Sequence, residues 1–130
     1  MPASLSAPVW AMTLLAVLMA TKHYVADFLL QTNWIARGKE CRSGWLLPLL
    51  AHVLCHAGLT LAIALAVAPR LWWLAAVDFG VHFLVDRSKA ILGHLGRWTP
   101  GDKTFWWLLG FDQYLHQVTN VAIAAVLVVG

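Results

Sequence analysis

Four long apolar stretches, residues 9–31, 45–67, 71–92 and 105–129, alternate with shorter polar ones along this chain. Each is close to the ~20 residues that a helix needs to cross a hydrocarbon core. Apolar positions recur at intervals near four, which predicts helices, and a backbone buried in lipid has only helix or closed barrel open to it. The connection Ala68-Pro69-Arg70 leaves room only for a tight turn, so the second and third helices are expected to be antiparallel neighbours. The connections 32–44 and 93–104 are longer and polar, and Asp102 stands where the N-cap of the fourth helix is expected. The pattern predicts an all-α membrane protein, a single domain over residues 1–130 with four transmembrane helices in an up-and-down bundle.

Composition changes the picture by naming the solvent. The chain is 61% hydrophobic and 12% charged, with a mean hydropathy of +0.72. A soluble domain carries roughly 25% charged residues, so the charge here is too sparse to cover a water-facing surface, and lipid is the expected surroundings. Disorder, coiled coil and a collagen-like fibre are excluded. All eight tryptophans fall near the ends of the predicted helices, as in an interfacial belt. The first basic residue, Lys22, lies deep in the first stretch, where no signal peptide would carry its basic region, so the first helix is expected to be retained.

The net charge is +3, but the basic residues form no run and no nucleic-acid partner is expected. Arg37, Lys39, Arg42, Arg87, Lys89, Arg97 and Lys103 gather on the side of the two long connections, against Arg70 alone on the other. The positive-inside rule then makes the loop side cytoplasmic and both termini non-cytoplasmic. Cys41 and Cys55 supply no disulfide framework and are expected as free thiols, Cys55 packed between helices.

Candidate chemistry lies inside the predicted membrane. His23 and Asp27, His52 and His56, Asp78, His82 and Asp86, and Asp112 and His116 are spaced i, i+4, so each set shares one helix face. Buried ionised groups in a bilayer are costly and mark function. His23, His52, Asp86 and Asp112 all lie roughly 9 to 12 Å below the loop-side boundary by helix rise, which brings the four sets to one level. Histidine with aspartate suits a divalent metal, zinc being the expected ion, and nine candidates exceed one tetrahedral site, so that either two metals or one metal with further carboxylates orienting the imidazoles is expected. Gln31, Lys89 and Asn120 extend the same faces, and Gln113 and Gln117 widen that of the fourth helix. Lys22 is expected to snorkel to an interface, and His94 to be a loop residue.

At His23-Tyr-Val-Ala-Asp27-Phe-Leu-Leu-Gln31, His52 with His56, the run from Asp78 to Lys89, and Asp112-Gln113 with His116, the sequence resembles DUF3307, a family of small bacterial membrane proteins without an assigned activity. The resemblance implies a multi-pass protein of the bacterial inner membrane. The helical HxxxD and DxxxH pairs are also similar to those of membrane-bound metal-dependent hydrolases and zinc-dependent phospholipases C.

The expected activity is metal-dependent hydrolysis of a phosphoester or similar bond in a membrane-associated substrate. Asp86, nearest the cytoplasmic mouth, is the expected base, and Lys89 is placed to bind phosphate. Access is expected from the cytoplasm or inner leaflet, past Arg87, Lys89 and Arg97, which favour an anionic, lipid-like substrate. Two other classes compete: a haem or di-iron redox protein, and a metal-ion or proton transporter, which with four helices would need a homo-oligomer.

Overall fold

The computed structural model describes residues 3–130, and every regular element among them is helical. Helix α1 (Ala3–Tyr24) runs into a π-helical turn (Val25–Leu29), marked by the Leu30 N–H donating to the Val25 carbonyl at 2.9 Å. Then come the short α2 (Asn33–Gly38), α3 (Leu46–Val67), a 3₁₀ turn (Pro69–Leu71), α4 (Leu74–Gly96) and α5 (Lys103–Val129).

Helix α2 occupies the first long connection, and local chemistry explains it. The Thr32 hydroxyl accepts from the Ile35 N–H at 3.3 Å, capping the helix, and Ile35 is buried beneath it. Gly38 ends α2 against the ring of Pro48, with which any added Cβ would collide. Pro48 is tolerated there because the first turn of α3 needs no N–H donor from it.

Three local expectations change. Asp102 holds the N-cap position of α5, but its carboxylate accepts from the backbone N–H and hydroxyl of Thr99 at 2.8 and 3.2 Å, pinning the preceding turn instead of the helix. His94 belongs to the last turn of α4 and meets the Glu40 carbonyl. Gln117 is exposed and adds nothing to the inner face of α5.

Each long helix runs antiparallel to its two neighbours around a ring. Trp45 at the start of α3 packs on Phe83 and Arg87 of α4, while Ala64 and Ala68 meet Leu74 at the opposite end. Leu15 and Met19 of α1 pack with Ile123 and Leu127 of α5, whose His116 pairs with Asp86 of α4. The order is therefore up and down, as the tight turn at Pro69 requires. Small buried residues such as Ala57, Ala64, Ala75 and Ala124 let backbones approach closely.

Polarity is inverted relative to a water-soluble bundle. Leu14, Leu47 and Leu84 are 67%, 69% and 66% exposed, whereas His56, Asp78 and His82 are fully buried. Two segments, Ala7–Leu29 and Leu46–Val67, are long and apolar enough to cross a membrane. Helices α4 and α5 have the length, but Asp78, Asp86, Arg87 and Lys89 on one and Asp112, His116 and Asn120 on the other lower their hydropathy, and most of these side chains are buried in the interior.

Candidate functional site

Helix α1 and its π turn bring His23 and Asp27 to the interior, and α3 brings His52 and His56. Asp27 receives all three imidazoles: His56 Nε2 lies 2.7 Å and His52 Nε2 3.4 Å from Oδ1, and His23 Nε2 lies 3.0 Å from Oδ2. Asp27 sits in the middle of the π turn, a distortion that often marks functional positions. No pattern of residue types announced it.

A second carboxylate centre forms between α4 and α5. Asp86 lies 2.9 Å from His116 Nε2 through Oδ1 and 3.3 Å from His52 Nε2 through Oδ2, and His116 Nε2 is also 3.3 Å from Asp112. His52 thus stands between Asp27 and Asp86 and joins the two centres. The rings of His56, His82 and His116 stack with centroids 3.8 and 4.1 Å apart. Histidines and aspartates from all four long helices thus meet in one layer, with Asp78 behind it.

Beyond this layer lies an ion pair. Lys22 is buried, not snorkelled: its ammonium is 2.7 Å from Asp78 and donates to Thr60 at 3.1 Å, while the Thr60 hydroxyl donates to Asp78 at 2.6 Å. The other Asp78 oxygen takes His82 Nδ1 at 3.0 Å. Asp78 stands outside the converging sets of ligand atoms, and its contacts with Lys22, Thr60 and His82 place it to orient His82. A snorkelling lysine needs an interface within reach, and here the nearest counter-charge is internal. Thr60 is four residues past His56, so the i, i+4 rule that exposed the histidines extends to it.

A cavity of about 210 Å³ reaches the layer from the loop side, lined by Asp27, Gln31, Lys39, Asp86, Lys89 and Asp112 among others. Helix α2 and the residues after it lie over this mouth: Lys39 is 3.3 Å from Asp86, and Glu40 is 2.9 Å from Lys89, whose ammonium is 3.7 Å from Asp112. Lys39 and Glu40 belong to the site through this fold-over, which spacing along one helix does not reveal. Arg87 and Arg97 do not line the mouth; Arg87 lies 3.9 Å over the Trp45 ring and bonds the Cys41 carbonyl. On the far side the layer is closed by the buried cluster of Leu15, Met19, Ala64, Leu74, Ile123 and Leu127.

Three sets offer ligand atoms lying within 4.8 Å of one another: His23, His56 and His82; Asp27, His52 and His56; Asp86, Asp112 and His116. Two ligands of a tetrahedral ion at ~2.0 to 2.1 Å stand roughly 3.3 Å apart, close to the three imidazole–carboxylate separations of 3.3 to 3.4 Å. The shorter ones fit hydrogen bonds. Nδ1 of His23, His52, His56 and His116 has no hydrogen-bond partner among the described residues, and in His82 it is Nε2 that has none. Five carboxylates (Asp27, Asp78, Asp86, Asp112 and Glu40) face three ammonium groups (Lys22, Lys39 and Lys89), an excess of two negative charges while the imidazoles are neutral. One divalent cation or two imidazolium protons would balance it.

No curated protein and no solved structure matches this chain. Residues 14–130, which hold every residue of the layer and of the ion pair behind it, match the family described as "Protein of unknown function (DUF3307)", and the chain belongs to that family.

Proposed function

We propose that this protein is a metal-dependent hydrolase embedded in the bacterial inner membrane, acting on a phosphoester or similar bond of an anionic, membrane-associated substrate. In this reading all four long helices span the bilayer. The apolar exterior supports it, as do exposed tryptophans such as Trp10, Trp72 and Trp107 near helix ends. The basic residues on the side of α2 make that side cytoplasmic, with both termini opposite.

The observation that carries the reading is the convergence of imidazole and carboxylate groups from four helices beside a polar cavity lined by four carboxylates and two lysines. A divalent ion there, zinc by its donor set, would polarise a phosphoryl oxygen and bring the pKa of a bound water toward ~7. His23, His52, His56, His82 and His116 with Asp27, Asp86 and Asp112 are the available ligands. Asp86 lines the cavity and can take the proton of the attacking water, and Lys39 and Lys89 neutralise the substrate's charge. The close stacking of His56, His82 and His116 leaves no slot for a macrocycle between them, which weighs against a haem.

The test is elemental analysis of the full chain purified in detergent, followed by chelation, reloading with zinc, and turnover of p-nitrophenyl phosphate and bis(p-nitrophenyl) phosphate. We expect near-stoichiometric metal, activity lost on chelation and restored on reloading, and a drop of about 100-fold in Asp86→Asn. Folded protein that binds no divalent ion would overturn the reading.

A further inference from the structure

The seam between α4 and α5 has a hollow on each side of it. Outside lies a groove of about 180 Å³ lined by Leu84, Val85, Ser88, Leu92, Phe111 and Leu115. Inside lies the 210 Å³ polar cavity. Lys89 and Asp112 line both, 3.7 Å apart, so this charged pair borders the apolar outer groove on one side and the layer of histidines and aspartates on the other. Lys89 also borders a third hollow of about 450 Å³ at the loop end, with Ala90, Trp98 and Phe105.

We propose that the α4/α5 seam is a lateral portal for a phosphate-bearing lipid, whose phosphate is received by Lys89 while its hydrocarbon chain stays in the groove of Val85, Ser88 and Phe111. This rests on the membrane-embedded hydrolase reading and names its substrate class and route. The charge exchange is favourable in kind. Glu40, the present partner of Lys89, is half-buried at the mouth with its carboxylate within reach of water, so that releasing it costs less than releasing a fully buried acid. A phosphate in its place keeps the ammonium paired and offers more acceptors than a carboxylate. Asp112, on the other flank, repels any anion not held by Lys89, so a phosphate at the seam is drawn to one position. A hydrocarbon chain gains little from leaving lipid for the groove. Its effect is to fix the amphiphile at the seam's depth, which a water-soluble phosphate cannot match.

The experiment measures binding of fluorescent lysophosphatidic acid to the zinc-loaded full chain in dodecyl maltoside. The competitors are unlabelled oleoyl lysophosphatidic acid, monooleoylglycerol and glycerol 3-phosphate. Oleoyl lysophosphatidic acid should compete at least about tenfold better than either of the others. Ser88→Trp, which fills the outer groove, and Lys89→Gln should each weaken binding by about tenfold, and Lys89→Arg should weaken it less. Equal competition by glycerol 3-phosphate, with Ser88→Trp binding normally, would mean that phosphate enters by the aqueous mouth and would overturn the portal. Equal competition by monooleoylglycerol would show an apolar groove without phosphate recognition and overturn it as well. Lipid binding that survives in protein unable to bind metal would sink the hydrolase reading while leaving the portal, and the reverse result would do the opposite.

Discussion

Asp78 holds His82 by Nδ1 at 3.0 Å, and the Nε2 of that ring is left without a hydrogen-bond partner among the described residues. The same carboxylate is anchored from its other oxygen by Lys22 and Thr60. A histidine fixed by a carboxylate on one nitrogen and open on the other is how metal-binding imidazoles are oriented. Asp78 would serve the site from behind, through the ring it holds.

Asp78→Asn strands the buried Lys22 ammonium, and we expect a loss of ~3 to 5 kcal/mol in stability. Adding Lys22→Met should recover most of it, since the uncompensated charge is gone. Zinc affinity should stay ~10 to 100-fold lower in both variants, because His82 has lost its carboxylate. Thermal unfolding in detergent and a zinc competition assay separate the two effects. A double variant no more stable than Asp78→Asn would contradict the ion-pair argument.

His52 lies between Asp27 and Asp86, 3.4 and 3.3 Å from them. His52→Ala and Asp86→Ala should therefore lower metal occupancy far more than His94→Ala, whose ring meets a backbone carbonyl outside the layer. Elemental analysis of the three proteins decides it, and equal losses would refute the assignment.

Gly38→Val should push α2 off Pro48, at a cost of about 1 to 3 kcal/mol from overpacking. Lys39 and Glu40 would leave Asp86 and Lys89 with it, so metal content should persist while the mouth becomes more accessible. Cysteine labelling at a Lys39→Cys position, with and without Gly38→Val, reads the change; unchanged labelling would show that α2 is not seated by this contact.

Reporter fusions at Gly130 should be active on the non-cytoplasmic side, given seven basic residues on the side of α2 against Arg70 on the other. A fusion active only in the cytoplasm would invert the topology and, with it, the side from which the cavity is reached.

What could be read in advance was whatever repeats along one helix. The i, i+4 sets of His23, His52, Asp78 and Asp112 needed only helix geometry to reach one face, and antiparallel connections to reach one level. The tight turn at Pro69 fixed a neighbour relation for the same reason. What escaped depends on contacts between segments. Spacing places Lys22 at an interface because its partner Asp78 is far along the chain, and Lys39 reads as a topology charge because α2 folds over the mouth only through Gly38 and Pro48. The π turn around Asp27 has no signature in residue types, since it arises where tertiary packing holds one extra residue in a helical turn.

The apolar cluster of Leu15, Met19, Ala64, Leu74, Ile123 and Leu127 has an electrical meaning in the membrane-spanning reading. A layer of histidines and aspartates is the material from which proton wires are made, and a wire crossing an energised membrane would discharge the proton-motive force. Here the titratable groups stop at a plug of aliphatic side chains, and the cluster itself holds no group able to pass a proton onward. A spanning bundle of this kind would be wired to one compartment only, and a cell could hold many copies without short-circuiting the gradient that it lives on.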